Sequence, residues 1–415
     1  MKEFSLLIKP ASFDCNLRCE YCFYLRKEAV FGSCRHRMSD EILGKMVSTF
    51  TGLDMRNHIF SWQGGEPTVM GLDFFKKALV ALMEKYGKGR NVTNTLQTNG
   101  TLLNSEWAGV LRKYNFLVGL SLDGPAEIHD RNRRDANGGG THKRVIAALE
   151  LLKKNKVEFN ILTLVSQANV KNPLEVYRYL KNLGIKYHQY IECVEYAPDG
   201  KLAPFAISGT EWGEFICRIF DEWYEKDRYN ISVRLFDTVL TKLVDHQVIA
   251  CSAGRDCRQY LVVEHNGDIY PCDFFVEPRF KLGNIMENSW EEILDSPLYE
   301  QFGKRKRAAD EQCGNCQWLD LCAACCPKNR PDFFQDAKAV SELCAGWKMF
   351  YSHTINRFKA IAEEIKHQRE LEYRSQLHQQ VMLMLHQGRI GLEAPCPCGS
   401  GLLLKDCMAP ELKHR

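Results

Sequence analysis

The sequence predicts an α/β protein: an open, partial (β/α)6 barrel, then a cysteine-rich domain and a helical C-terminal extension. Three observations carry the prediction. Strand and helix signals alternate from residue 1 to about 195, at intervals that suit βα units in a parallel sheet. The first four strand signals are each followed by a cysteine, glycine or polar motif. Cysteines then return in a second field between Cys251 and Cys344.

Taken in order, apolar or β-rich runs occur at Ser5–Lys9, His58–Trp62, Val92–Thr98, Phe116–Ser121, Glu158–Leu164 and Tyr187–Ile191. Helical patterns lie between them at Asp40–Phe50, Leu72–Tyr86, Ser105–Lys113, Lys143–Asn155 and Pro173–Asn182. Six strands are too few for a closed eight-stranded barrel, so the sheet is expected to stay open. Chemistry in such folds gathers at the C-terminal ends of the strands. Cys15, Cys19 and Cys22 follow the first strand, and Gln63-Gly64-Gly65-Glu66-Pro67 the second. Gln97-Thr98-Asn99-Gly100 follows the third and Asp123-Gly124-Pro125 the fourth.

Residues 196–250 read as mostly helical, with amphipathic patterns at Trp212–Tyr224 and Phe236–Val248. After Trp347 a helix is expected to about Gln387. Its apolar positions Tyr351, Ile355, Phe358, Ala362 and Ile365 form one face, for packing on the barrel or, alternatively, for a partner. The expected division is 1–250, 251–346, 347–390 and 391–415.

Composition narrows the function. The chain has 415 residues, 45% of them hydrophobic, enough for a substantial core. Its formal net charge of +3, from 55 basic and 52 acidic side chains, implies neither a nucleic-acid nor a membrane partner. Met1-Lys2-Glu3-Phe4 leads straight into a strand with no signal peptide, so a cytoplasmic protein is expected. Thiols stay reduced there, and clustered cysteines read as metal ligands rather than disulfides.

Cys15-x3-Cys19-x2-Cys22 packs three thiols tightly enough to hold three irons of a four-iron cluster. With a fourth cysteine missing, one iron is left for a substrate or cofactor. A zinc site or three unrelated buried thiols are the alternatives. Tyr21 sits just before the last cysteine. Gly64 and Gly65 let the backbone approach a ligand closely, since neither carries a Cβ.

The triad with Tyr21, followed one strand later by Gly64-Gly65-Glu66-Pro67, resembles the radical S-adenosylmethionine enzymes. The resemblance places Tyr21, Gly65, Ser121, Arg133 and Val194 beside S-adenosylmethionine. Arg133 would face the cofactor carboxylate; alternatively it is a solvated charge in the basic run Arg131 to Arg134.

In the second field, Cys251 and Cys257 precede an expected hairpin (Leu261–Glu264, Asp268–Tyr270), and Cys272 follows it. Cys313-x2-Cys316-x5-Cys322-x3-Cys326 and finally Cys344 complete the set. This resembles the SPASM extension, which holds two auxiliary four-iron clusters. By that resemblance Cys251, Cys257, Cys272 and Cys326 bind one, and Cys313, Cys316, Cys322 and Cys344 the other, making three [4Fe-4S] clusters with the first. Two zinc sites are the alternative. Cys325 reads as a spare beside Cys326, and Cys34, Cys193 and Cys217 as core or surface thiols.

Within this class the chain is most similar to the anaerobic sulfatase-maturating enzymes. Leu6 to Pro10, Cys22-Phe23-Tyr24, Gln63 to Thr68, Leu96 to Leu102, Phe116 to Pro125, Val157 to Leu162 and Tyr270 to Phe274 carry the likeness. It implies oxidation of a cysteine or serine in a sulfatase polypeptide to Cα-formylglycine, through hydrogen abstraction by a 5′-deoxyadenosyl radical. Asp273 matches the general base that takes the thiol or hydroxyl proton, and the cluster at Cys272 would receive the second electron. The alternatives for Asp273 are a solvent-facing turn residue or a hydrogen-bond partner of nearby backbone amides. A flavodoxin- or ferredoxin-type donor is implied. The rival readings are another SPASM enzyme that cross-links or epimerises a peptide, and a non-catalytic electron carrier using three clusters.

Cys396-Pro397-Cys398-Gly399-Ser400-Gly401 with Cys407 resembles the SEC-C zinc motif, with Met408 in the fourth ligand place. Thioether is a poor zinc ligand. His414 is the candidate replacement; weak zinc binding or a degenerate, metal-free remnant are the alternatives. Because the same motif closes the Sec translocation ATPase, the resemblance suggests contact with the Sec pathway or with nascent chains.

Overall fold

The computed structural model describes residues 3–79, 84–86, 88–197, 199–306, 311–331, 339–398 and 400–407. Six strands, β1 (Ser5–Lys9), β2 (Asn57–Trp62), β3 (Asn91–Thr98), β4 (Leu117–Ser121), β5 (Glu158–Val165) and β6 (Tyr187–Glu192), pair in parallel in chain order. The sheet is open and grows at both ends. The short β7 (Ser232–Val233) continues parallel along β6. On the other side β8 (Tyr260–Glu264) runs parallel to β1, in register from Ser5 opposite Tyr260 to Lys9 opposite Glu264. β9 (Asp268–Tyr270) and β10 (Gly283–Asn284) close that edge antiparallel. The hairpin of the second cysteine field therefore shares one sheet with the first six strands, and β1 becomes an interior strand.

The crossover helices bury one face each against this sheet. Asp40–Thr51 starts where the Ser39 hydroxyl accepts the Ile42 N–H, and it buries Leu43, Met46, Val47 and Phe50 at the three-and-four spacing of a helix face. Asn104 caps Ser105–Lys113 in the same way through Trp107 N–H. His142–Lys154 buries Val145, Ala148, Leu149 and Leu152. Where one helix was expected over Leu72–Tyr86, the structure has Leu72–Lys76 and Glu84–Tyr86, and residues 80–83 lie outside the described residues.

Two helices cross at glycine. Gly209–Lys226 opens with a capping box of Ser208 and Glu211. It meets the first turn of Cys344–His386 so closely that a Cβ on Gly346 would stand 2.0 Å from the Gly209 carbonyl oxygen. A Cβ on Gly213 would stand 2.8 Å from the Gly346 Cα. Trp212 and Trp347 pack edge to face beside the crossing, ring centroids 5.7 Å apart. The contact fixes Cys344, the first residue of its helix.

The chain forms two compact units: Met1–Thr238 with Val248–Thr354, and Val239–Gln247 with Ile355–Arg415. In the second unit Asp245 pairs with Arg369. There Ile355, Phe358 and Ala362 of the expected apolar face are buried and Ile365 is half-buried. Among the described residues no helix is long and apolar enough to cross a membrane.

Candidate active site

The cysteine loop leaves β1 and is tied from several sides. Asp14 accepts hydrogen bonds from His36 N–H (3.0 Å) and Arg37 (2.6 Å), and its other oxygen lies 2.9 Å from His36 Nδ1. Burial alone would raise the Asp14 carboxyl, but His36 and Arg37 outweigh it and hold the group below its ordinary value. Gly65 N–H donates to Ser12 O (2.7 Å) and Glu66 N–H to Asp14 O (2.9 Å). A Cβ on Gly65 would lie 2.2 Å from Asp14 O, and one on Gly64 2.6 Å from Ser12 O. Within the protein itself, these glycines let the second motif press against the backbone of the first. Glu66 is buried and accepts from Thr68 N–H and hydroxyl, Thr98 hydroxyl and Asn99 N–H. One carboxylate thus joins the ends of β2 and β3.

Burial raises the thiols of Cys15, Cys19 and Cys22, Cys19 to about 11. For Cys15, the charges of Glu66, Cys19 and Cys22 add to it. Three crowded thiols, of which Cys15 is exposed, Cys22 half-buried and Cys19 buried, become thiolates more readily beside compensating positive charge, which a metal centre supplies. The donor set fits an iron–sulfur cluster bound on three sides.

These cysteines face a cavity of about 260 Å³ that Tyr21, Gly65, Ser121 and Arg133 also line. Val194 lines instead a neighbouring cavity of about 480 Å³. Phe23, Glu195, Phe274 and Lys328 belong to the walls of both. Arg133 is half-buried and paired rather than solvated: its Nε donates to Asp123 (2.9 Å) and its guanidinium lies over the Tyr21 ring. The Tyr21 hydroxyl donates to the same carboxylate oxygen, and Leu164 N–H donates to the other at 3.1 Å. Asp123, at the end of β4, thus orients two residues of the cavity wall. Behind it, Asp123 N–H donates to His129 Nδ1. His129 Nε2 then carries the hydrogen toward Thr141 Oγ1, which donates to Arg133 O.

Asp273 stands on the same cavity wall and is buried, not facing solvent. Tyr24 OH reaches both its oxygens (2.9 and 2.8 Å), Gln63 Nε2 approaches at 3.4 Å, and Lys9 forms an ion pair with it. Burial and this carboxylate push the Tyr24 phenol well up, so it stays a donor. The sequence reading missed Lys9, Tyr24, Gln63 and Asp123 as site residues, although all four stand within segments that carry the resemblance. The available signal was Lys9 itself, a lysine ending an apolar strand.

In the second field the thiols lie close enough to influence one another, and Cys325 acts on Cys322, Cys326 and Cys344 alike. Cys326 feels Cys251 and Cys272, Cys257 feels Cys251, and Cys272 feels Cys257. Cys322 feels Cys313 and Cys344, and Cys344 feels Cys313 and Cys316. Ala323, Ala324 and Cys325 are consecutive left-handed residues, at φ +49°, +60° and +63°. Each costs about 1–2 kcal/mol, so surrounding structure must hold them. Arg330, donating to Ala324 O at 2.6 Å, is one such restraint. Two four-thiol sets ligating clusters on either side of this turn fit as the other. Cys325 itself is close enough to influence Cys322 and Cys326. Cys34 lies against His36, Cys217 is buried in its helix, and Cys193 is buried and lines the active cavity.

The tail thiols Cys396, Cys398 and Cys407 converge with His378, from the long helix, so that all four ligand atoms lie within 4.8 Å of one another. Met408 and His414, the two residues considered from the sequence for the fourth place, lie outside the described residues. His378 was missed because it precedes the motif by most of a helix end and a loop.

A partial barrel with this cysteine loop is the architecture of a radical SAM enzyme. The chain matches the radical SAM superfamily over residues 10–180 and the SPASM iron-sulfur cluster-binding domain over residues 251–317. The serine-type anaerobic sulfatase-maturating enzyme of Bacteroides thetaiotaomicron is 36% identical, over 88% of this chain and 93% of its own length. The cysteine-type enzyme of Clostridium perfringens is 37% identical, over 88% and 100%. The solved structure of native anSMEcpe with bound AdoMet and Cp18Cys peptide matches with a TM-score of 0.82 at 36% identity, covering 88% of this chain and 99% of that one. The chain belongs to the anaerobic sulfatase-maturating enzymes.

Proposed function

We propose that this enzyme oxidises one cysteine or serine of a sulfatase polypeptide to Cα-formylglycine. The observation that carries the reading is the buried Asp273 carboxylate on the wall of the cavity that the N-terminal cysteines face. Cys15, Cys19 and Cys22 would hold the first [4Fe-4S] cluster, with Tyr21, Gly65, Ser121, Arg133 and Val194 beside S-adenosylmethionine. Cys251, Cys257, Cys272 and Cys326 would hold one auxiliary cluster, and Cys313, Cys316, Cys322 and Cys344 the other. The reduced first cluster and S-adenosylmethionine, when bound, supply the radical that abstracts hydrogen from the target Cβ. The chain's own part is placement and proton handling. Asp123 fixes Tyr21 and Arg133 from behind, so the cavity keeps its shape when a cofactor enters. Asp273 takes the proton from the target thiol or hydroxyl, with Tyr24 and Gln63 steering the carboxylate, and the auxiliary cluster that Cys272 would hold would accept the second electron. The target segment enters by the neighbouring cavity, which shares a wall with the first and carries Arg26, Arg279 and Glu277.

The test is peptide mass spectrometry with anaerobically reconstituted protein on cysteine and serine peptides. Formylglycine from cysteine appears as a loss of roughly 18 Da, the balance of oxidation and hydrolysis. Asp273→Asn is expected to cleave S-adenosylmethionine yet make no aldehyde; a normal aldehyde yield from it would falsify the base assignment.

We place the enzyme in the cytoplasm, fed by a flavodoxin- or ferredoxin-type donor, with the barrel in 1–250, the auxiliary clusters in 251–346, a helical extension in 347–390 and a zinc motif in 391–415. The tail would bring the enzyme to unfolded sulfatases before export. Deleting residues 390–415 should then spare activity on short peptides and lower maturation of a full-length exported sulfatase in cells. Equal maturation removes the targeting role.

A further inference from the structure

We propose that His378 is the fourth ligand of a zinc ion held by Cys396, Cys398 and Cys407, and that this ion folds the C-terminal tail onto the end of the long helix. The inference deepens the zinc reading of the tail and does not depend on formylglycine chemistry.

The geometry is that of a tetrahedral site with three sulfur donors and one nitrogen donor. Cys396 and Cys398 sulfurs are 3.3 Å apart, and those of Cys398 and Cys407 3.4 Å. His378 Nε2 lies 3.8 Å from the Cys396 sulfur and 3.7 Å from that of Cys407. A zinc ion with Zn–S of about 2.3 Å and Zn–N of about 2.0 Å sets its ligand sulfurs about 3.8 Å apart, and sulfur and nitrogen about 3.6 Å apart. These four separations lie within about 0.5 Å of those spacings, and all four ligand atoms lie within 4.8 Å of one another, so the donors need only a small rearrangement to close on the ion. Three soft thiolates and one imidazole in a tetrahedron select zinc among common divalent ions. Ser400 Oγ, 3.1 Å from the Cys407 sulfur, supplies a hydrogen bond behind the ligands.

Local chain folding explains why these residues meet. An isolated bridge pairs Pro395 with Leu403, and Cys396 N–H donates to Leu402 O (2.9 Å). This turns Cys396 and Cys398 back toward Cys407, at the end of the short helix Leu404–Cys407. His378 and Val381 are three residues apart and share a helix face. Val381 packs with Cys396 and Leu404 as the buried centre of a small cluster, against which Met382, Leu385, Ile390, Ala394, Cys398 and Cys407 lie only partly buried. So small a core does not hold a tail of this length in place by itself. The free energy of metal binding supplies the difference, and the thiols release their protons to solvent as the ion enters.

The experiment uses the full chain with its iron clusters, because zinc K-edge absorption is read independently of iron. The expected result is one zinc per chain, with three sulfurs, one nitrogen and the outer-shell scattering of an imidazole. His378→Ala should lose the imidazole signature and give up zinc to a chelator at least about tenfold more readily. His378→Cys should keep zinc with a four-sulfur shell, which separates ligand loss from misfolding. Met408→Ala and His414→Ala should change nothing. Wild-type protein without zinc overturns the tail reading and the inference together. Zinc present without an imidazole signature, or held equally tightly by His378→Ala, overturns the role of His378 alone.

Discussion

Lys9 and Asp273 form an ion pair in which both residues are buried. The ammonium also lies over the Tyr24 ring, 4.2 Å from its centroid, and finds no neutral hydrogen-bond acceptor. Its ion-pair partner is the carboxylate proposed to act as base, and the buried Glu264 stands opposite Lys9 on the neighbouring strand. Lys9 ends the interior strand β1, and its side chain is fully buried.

Removing either partner strands the other. Lys9→Met and Asp273→Asn are each expected to cost about 3–5 kcal/mol of stability, because each leaves one buried, uncompensated charge. The double variant should recover most of that loss, since both charges are then gone. Chemical denaturation of the four proteins measures the coupling. Aldehyde formation should stay absent in the recovered double variant, which separates the chemistry of Asp273 from its contribution to stability. Additive losses would mean that the two residues do not support each other.

Gly65→Ala tests the contact between the first two motifs. Its methyl carbon would need the space of the Asp14 carbonyl oxygen, 2.2 Å away, and backbone cannot yield as a side-chain tip does. The cysteine loop should shift. Iron bound after reconstitution should fall by about one cluster in three, and S-adenosylmethionine cleavage should be lost. Wild-type iron content would show that the loop tolerates the displacement.

The Asp123 hub makes stability depend on pH through His129. Burial lowers the His129 imidazole from 6.5 to about 4, so the folded protein holds it neutral. The stabilisation is complete above pH 6.5 and is lost as the pH falls toward 4, because the unfolded chain takes up the proton first. The loss across that window is about 3 kcal/mol. His129→Asn should flatten that part of a denaturation series measured against pH. An unchanged slope would assign the acid sensitivity elsewhere.

Gly346→Val addresses the helix crossing that fixes Cys344. The added Cβ would meet the Gly209 carbonyl at 2.0 Å, and the helices would have to separate. The expected outcome is a destabilised protein that loses iron preferentially from the set of Cys313, Cys316, Cys322 and Cys344. Electron paramagnetic resonance of the reduced protein reads which cluster signal weakens; equal weakening of all signals would point to general unfolding.

Much of the architecture was legible in the sequence. The strand Ser5–Lys9 and the helices Ser105–Lys113 and Pro173–Asn182 have the expected limits, because apolar periodicity, caps and turns are local properties. The sequence did not show that β8 lies along β1, because strand order in a sheet is a long-range choice that no local pattern states.

The inventory belongs to the sequence: which segments become strands and helices, and which cysteines, glycines and carboxylates gather at strand ends. The pairings across distance belong to the folded chain, Lys9 with Asp273, Tyr21 and Arg133 with Asp123, and His378 with the tail thiols. The physical reason is that a buried charge or an open ligand place must be satisfied by whatever side chain packing brings near. Packing is set by the whole sheet and its helices, and not by neighbours in the chain.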